Sequence, residues 1–248
     1  MKLAKLNGRP EIFYSIQGEG KSMGKPAIFV RTSLCNLHCV WCDTDYTWNW
    51  EKTPFKHVND NKAGYSKYKK EEWIAEIDAD EVLSKIKEHS CKRVILTGGE
   101  PLMQQKELTI LAQLLHDDGY FIEVETNGTL KPAPDFDSII NQYNVSPKLS
   151  NSDNSIQLRE KEDVYKFFSK SDKSSFKFVI DDPKDLDEVT KLISKYNIHP
   201  SDVYLMPQGT NGAALNQKQQ WLIEICKKHG YNYTDRLHIH IYGDKRGV

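Results

Sequence analysis

The sequence lacks the long apolar run that a membrane span requires: no stretch approaches ~18 consecutive apolar residues. The first residues, MKLAKLNGRPEIF, carry no apolar core and no small-residue cleavage site, so no secretion signal is expected and the reading is cytoplasmic. Charge of one sign is also missing. Thirty-four Lys and Arg face 35 Asp and Glu, a net charge of −1, which gives no electrostatic footprint for general nucleic-acid or anionic-membrane binding. No 20–50-residue repeat of the solenoid kind is present. Cysteines are few and odd in number, five in 248 residues, and three are bunched. That argues against a secreted disulfide framework and for a metal or redox role. With 38% apolar and 28% charged residues, the chain is neither collagen-like nor wholly disordered, and it is long enough for one large domain over 1–248.

The bunched cysteines lie in RTSLCNLHCVWCDTDYTW, where Cys35, Cys39 and Cys42 have the spacing C-x3-C-x2-C. Three thiolates in one loop can all point at one small inorganic centre. A 4Fe-4S cluster normally takes one thiolate per iron, and only three are at hand, so the simplest inference leaves one iron open to another ligand. Two alternatives stay open from spacing alone. One is an incomplete zinc site, whose fourth ligand is His38 or a distant residue. The other is a set of structural cysteines in a reduced protein.

The chain around this loop alternates strands and helices. Strand patterns fall at 26–31, 93–96, 120–125, 143–145, 176–180, 203–206 and 237–241. Helical spacing appears at 81–89, 107–118, 161–168, 185–196 and 216–229, with a brief candidate at 138–140. Gly119 is read as a C-cap. Residues 150–158 read as loop, and 49–80 as an irregular polar insertion or lid. Such alternation implies βα units and a mostly parallel sheet. About seven strands point to an α/β fold of partial, distorted (β/α) barrel type, with an open doubly wound sheet as the alternative.

Unusual polar residues follow the carboxyl ends of these strands: the cysteine loop, TGGE at 97–100, ETNG at 125–128, SPK at 146–148 and MPQG at 206–209. In parallel α/β folds this rim carries the active site. The Gly98-Gly99 pair is either a simple βα turn or a place where backbone meets a ligand without a Cβ in the way. Along 120–125, Glu123 and Glu125 share a face, which inside a barrel points to a ligand, Glu125 being nearer the rim. Along 237–241, His238 and His240 likewise share a face. The remaining histidines are read as solvated, and Cys91 and Cys226 as small packed side chains.

Cys35-x3-Cys39-x2-Cys42 followed by Gly98-Gly99-Glu100-Pro101 resembles the radical S-adenosylmethionine superfamily. With EIFYSIQGEG, PAIFVR, CDTDYTW, TGGEP, ETNGT and VSPK, the pattern is similar to the 7-carboxy-7-deazaguanine synthase family. The resemblance covers most of the chain and is least distinctive at 49–80 and 149–175. It implies a radical lyase that contracts the ring of 6-carboxy-5,6,7,8-tetrahydropterin with loss of ammonia, on the route to queuosine. S-adenosyl-L-methionine would chelate the open iron and be regenerated each turn, with hydrogen abstracted from C6 of the pterin.

The resemblance also assigns residues. Cys35, Cys39 and Cys42 would hold the 4Fe-4S cluster. Gly99, Ser146, Pro147, Lys148, Met206, Pro207, Gln208 and Gly209 would hold S-adenosyl-L-methionine. Ile16, Gln17, Gly18, Arg31 and Thr97 would contact substrate, with Glu19 and His240 as further candidates, and Thr44 would bind Mg2+. A flavodoxin or ferredoxin as reductant and a homodimer are implied too. Met206-Pro207 stands where many relatives have Gln-Pro, and the tail GDKRGV departs from that of compact members, so the late contacts are the least secure part of the assignment. Two other readings stay open: a glycyl-radical activating enzyme, and a non-enzymatic zinc-binding module.

Overall fold

A computed structural model describes residues 1–248. Seven parallel strands carry the architecture: β4 (Pro26–Thr32), β6 (Arg93–Gly98), β7 (Phe121–Thr126), β8 (Gln142–Val145), β9 (Ser174–Ile180), β10 (Val203–Pro207) and β11 (Asn232–Tyr233). Four antiparallel strands extend the β4 side: β1 (Lys2–Leu6), β2 (Arg9–Pro10), β3 (Ile12–Ile16) and β5 (Ile74–Glu76). The sheet order is β11-β10-β9-β8-β7-β6-β4-β1-β2, with β3 on β4 and β5 on β1. The sheet curls into a partial (β/α) barrel without closing as a ladder. Across the gap, the Gly20 N–H donates to the Thr234 hydroxyl at 2.7 Å and the Leu237 N–H to the Gly18 carbonyl at 2.9 Å.

Nine helices pack around the sheet: α1 (Lys70–Trp73), α2 (Ala79–Ile86), α3 (Gln105–Asp117), α4 (Pro134–Ile139), α5 (Ile156–Arg159), α6 (Glu162–Phe168), α7 (Asp185–Tyr196), α8 (Gly212–His229) and α9 (Leu237–Tyr242). Period-two alternation sorts each strand into two faces. Val94, Leu96, Ile122, Val124, Val203 and Leu205 face the helices and join Leu108, Leu111 and Leu115 of α3 in the main core. The inner face runs in layers set by register. Phe29, Ile95, Glu123 and Gln142 lie side by side, and Arg31 lies beside Thr97 one step nearer the rim. No helix is long and apolar enough to cross a membrane.

The structure corrects several sequence expectations. Residues 237–241 form α9 rather than a strand, and the seventh parallel strand is the two-residue β11. The alternating pattern of Leu-His-Ile-His-Ile misled here, because Gly18 takes the Leu237 N–H and the chain then turns helical back to the Arg236 carbonyl. Positions two apart on a helix differ by roughly 200°, so His238 and His240 do not share a face. Residues 150–158 hold a 3-10 turn (Ser150–Ser152) and the start of α5 rather than plain loop. Within 49–80, α1 and β5 form, and β5 is secured by pairing with β1. His57, expected in solvent, is 5% exposed and lies within hydrogen-bonding distance of the Cys42 carbonyl, at 2.8 Å.

Two glycines bring the rim together. Gly98 has φ +129°, and a Cβ there would lie 2.1 Å from the Thr32 carbonyl oxygen. A Cβ on Gly99 would lie 2.0 Å from the Leu34 carbonyl oxygen. The space a side chain would need is thus filled by the backbone that leads into the cysteines. Glu100 completes the joint. Fully buried, it accepts from the Leu102 N–H at 3.0 Å, the Thr126 hydroxyl at 2.8 Å and the Asn127 N–H at 2.7 Å.

Burial raises the Glu100 carboxyl to about 6, although these hydrogen bonds pull the other way. The folded state therefore holds this proton more tightly than the unfolded chain does. That contribution is full below the ordinary value of 4.5 and is lost as pH rises through about 6. The stability gap between wild type and Glu100→Gln should widen by about 2 kcal/mol from pH 7 to about pH 4. Urea unfolding of both proteins at the two pH values measures it; a gap that stays constant contradicts the assignment.

Candidate active site

At the carboxyl ends of the parallel strands lies a cavity of about 250 Å³. One wall is the cysteine loop, with Cys35, Cys39, Cys42 and Thr44. The facing wall comes from the strand ends and the segment after β3: Ile16, Gln17, Gly18, Glu19, Arg31, Thr97, Gly99, Ser146, Lys148, Met206, Gln208 and Gly209 all line it. Three candidates do not. Pro147 and Pro207 are buried beside the lining without reaching it, and His240 is exposed on the far side of α9, 3.2 Å from Asp235. The histidine that reaches the cavity is His238. A Cβ at Gly18 would lie 1.9 Å from its Nδ1, so the imidazole fills the room that this glycine leaves.

All five cysteines are free. Burial raises the three loop thiols, Cys42 to about 12, so none is a thiolate until a cation offsets the cost. Each sulfur has a polar neighbour: the Asn127 amide N–H at 3.9 Å from Cys35, the Asn154 amide N–H at 3.3 Å from Cys39, and the Thr44 hydroxyl at 3.4 Å from Cys42. No three Cys, His, Asp or Glu side chains are grouped to hold a single metal ion. The three thiols line one cavity, with no fourth protein ligand grouped beside them. That arrangement fits separate irons of a cluster better than one zinc. The donor set thus fits a 4Fe-4S cluster held by three thiolates.

Opposite the thiols the lining is densely charged. Arg31 donates its Nε–H to Glu11 at 3.2 Å, and no protein acceptor takes its terminal nitrogens. Glu11 is pinned in turn by Arg246 at 2.5 Å, whose guanidinium stacks on Tyr46. Glu125 accepts from the Gln17 amide at 2.8 Å and the Thr97 hydroxyl at 3.0 Å, with Lys177 at 3.9 Å. Gln17 also reaches Glu123 at 3.1 Å, one layer down, where Arg93 pairs with it at 2.9 Å. Glu19 bonds Lys177, and Arg236 at 2.9 Å. Burial alone would raise the Glu19 carboxyl, but Lys177, Arg236 and His238 hold it well below the usual carboxylate range. Arg236 also bonds Asp43 and donates to the Gly209 carbonyl at 2.6 Å. Burial lowers His238 below its ordinary value, keeping the imidazole neutral near pH 7.

Lys177, Arg236 and Asp43 were not singled out from the sequence, and of the two histidines noted at 237–241 only His240 was given a substrate contact. Lys177 carried a readable signal, a lysine amid SSFKFVI, whose seven residues are all buried. Arg236 carried none, because its place depends on the turn between β11 and α9.

The Radical SAM superfamily model matches residues 29–211. The chain is 35% identical over 238 residues to 7-carboxy-7-deazaguanine synthase of Pyrobaculum aerophilum, covering 96% of this chain and 95% of that protein. It is 33% identical to the enzyme of that name from Halobacterium salinarum, covering 94% and 90%. Among solved structures, the crystal structure of QueE from Escherichia coli matches with a TM-score of 0.65 at 25% identity, covering 92% of each chain. The thiol wall, the charged wall and these likenesses agree: the chain belongs to the 7-carboxy-7-deazaguanine synthase family of the radical S-adenosylmethionine superfamily.

Proposed function

We propose that this cavity carries out the radical ring contraction of 6-carboxy-5,6,7,8-tetrahydropterin to 7-carboxy-7-deazaguanine, with release of ammonia. The observation that carries the reading is the pairing, across one cavity, of three free thiols with an arginine whose terminal nitrogens lack a protein partner. When bound, the 4Fe-4S cluster and S-adenosyl-L-methionine supply radical chemistry that no side chain of this chain can provide.

The reading assigns residue roles on the family resemblance, and the placement of these side chains around one cavity supports them. Cys35, Cys39 and Cys42 hold the cluster. Gly99, Ser146, Lys148, Met206, Gln208 and Gly209 line the adjoining part of the cavity and hold the cofactor's amino-acid and nucleoside parts. The free fork of Arg31 binds the substrate carboxylate through both oxygens. Glu11 fixes the direction of that fork through Nε. Glu125, oriented by Gln17 and Thr97, accepts N–H groups from the aminopyrimidinone edge of the pterin. Glu19 already has cationic partners, so its work is to hold Lys177 and Arg236 in place. Phe13, Phe29, Leu37, Trp48 and Ile239 supply the apolar lining that keeps water from a reactive radical.

Thr44 offers a hard oxygen for Mg2+ beside the exposed carboxylate of Asp43. The ion would act there as template and charge stabiliser. A flavodoxin or ferredoxin as electron donor, and a homodimer as assembly, belong to the same reading and rest on the family resemblance.

Anaerobic incubation of the reconstituted, reduced protein with the pterin and S-adenosyl-L-methionine tests the function. The expected result is a new deazapurine absorbance and product mass, without 5′-deoxyadenosine accumulating in step with product. Absence of the deazapurine, with steady cofactor cleavage, rejects the substrate. Thr44→Ala should lower activity at low Mg2+ about tenfold and shift the half-saturating Mg2+ upward, a loss of roughly 1.4 kcal/mol. An unchanged Mg2+ response in steady-state assays removes Thr44 from the metal site.

A further inference from the structure

The loop after β8 reaches back onto the cysteines. The Val40 N–H donates to the Ser152 carbonyl at 3.1 Å, and Trp41 Nε1–H to the Asn151 carbonyl at 2.9 Å. Asn154 stands at the centre of this contact and is buried, at 8% exposure. Its Oδ1 accepts the His38 backbone N–H at 2.9 Å. That bond fixes which way the amide faces, because only an oxygen can meet an N–H donor. The Nδ2 group must then face the other way, and it lies 3.3 Å from Cys39 Sγ. Its remaining partners are the Ser152 carbonyl at 3.3 Å and hydroxyl at 3.2 Å.

The loop is not free to swing. Buried Arg159 donates to the Asn154 carbonyl at 3.1 Å and the Lys148 carbonyl at 3.2 Å, and pairs with Glu188. The corresponding donor at Cys35, Asn127, sits farther away at 3.9 Å. The Asn154 contact to Cys39 is thus shorter than the Asn127 contact to Cys35.

Resting on the reading of Cys39 as a cluster ligand, we propose that Asn154 is a positioning residue that raises the reduction potential of the cluster through an N–H···S bond to Cys39. One electron entering the cluster adds negative charge to its sulfurs. A donor held against one of them favours the reduced state, and burial strengthens the effect.

The test is an EPR-monitored redox titration of the anaerobically reconstituted protein without S-adenosyl-L-methionine. Asn154→Asp keeps an oxygen for the His38 N–H and removes the donor; Asn154→Leu removes both without adding charge. At a fixed potential both variants should show about a tenfold lower reduced-to-oxidised ratio, a midpoint about 59 mV more negative for one electron. In D2O the reduced wild type should show an exchangeable deuteron coupled to the cluster that Asn154→Asp lacks. Unchanged potentials with full iron content overturn the proposal. So does a shift in Asn154→Asp alone while Asn154→Leu stays at the wild-type value, which assigns the effect to charge. Failure of both variants to load iron also overturns it, assigning Asn154 to assembly. Where only Asn154→Asp loads, retention of the deuteron coupling overturns the proposal and its loss supports it. Cys39→Ala separates the two readings: full iron content in that variant rejects Cys39 as a ligand, whatever Asn154 does.

Discussion

The site depends on one close backbone approach. The Gly99 N–H donates to the Thr32 carbonyl at 3.0 Å and the Glu100 N–H to the Leu34 carbonyl at 2.8 Å. These two bonds carry the β4–β6 pairing past the end of the strands and into the cysteine loop. They need glycine for a steric reason, since a Cβ at either Gly98 or Gly99 would collide with backbone that cannot move aside. Glu100 then passes the constraint to the next strand end through Thr126 and Asn127. Three loops that share no sequence neighbourhood are thereby locked at one rim, and the thiols are presented from a fixed frame.

The opposite wall solves a different problem. Arginine and lysine side chains are costly to bury unless paired. Arg31, Lys177 and Arg236 each have carboxylate partners in Glu11, Glu19, Glu125 and Asp43. The pairing leaves the terminal nitrogens of Arg31 free of protein acceptors, while both oxygens of Glu125 are held by Gln17 and Thr97. Gln17 ties the rim to the buried pair of Glu123 and Arg93 below, so the orientation of Glu125 is backed by two layers of the barrel.

Much of this was legible in sequence. The cysteine spacing, the glycine pair and the polar runs after strand patterns located the rim, alternation put Glu125 on a shared face near it, and the family resemblance added Arg31 and Thr97. The reasons for particular residues were less legible. Gly98 and Gly99 serve backbone packing against Thr32 and Leu34 as well as lining the cavity. His240 was misplaced because a period-two pattern held by a tertiary bond to Gly18 became helical. Lys177 and Arg236 enter the site through register and a short turn. Asn154 reaches Cys39 across 115 positions, beyond any local pattern.

The most direct test of this account is iron binding by Gly99→Ala. The substitution adds one methyl group at a position whose backbone conformation alanine tolerates, and places it against the Leu34 carbonyl. Iron analysis and EPR after anaerobic reconstitution, beside far-UV circular dichroism, read out the cluster and the fold separately. The account predicts a retained α/β spectrum with most of the cluster lost. A full iron complement with an unchanged EPR signal would show that the cysteine loop does not depend on this contact.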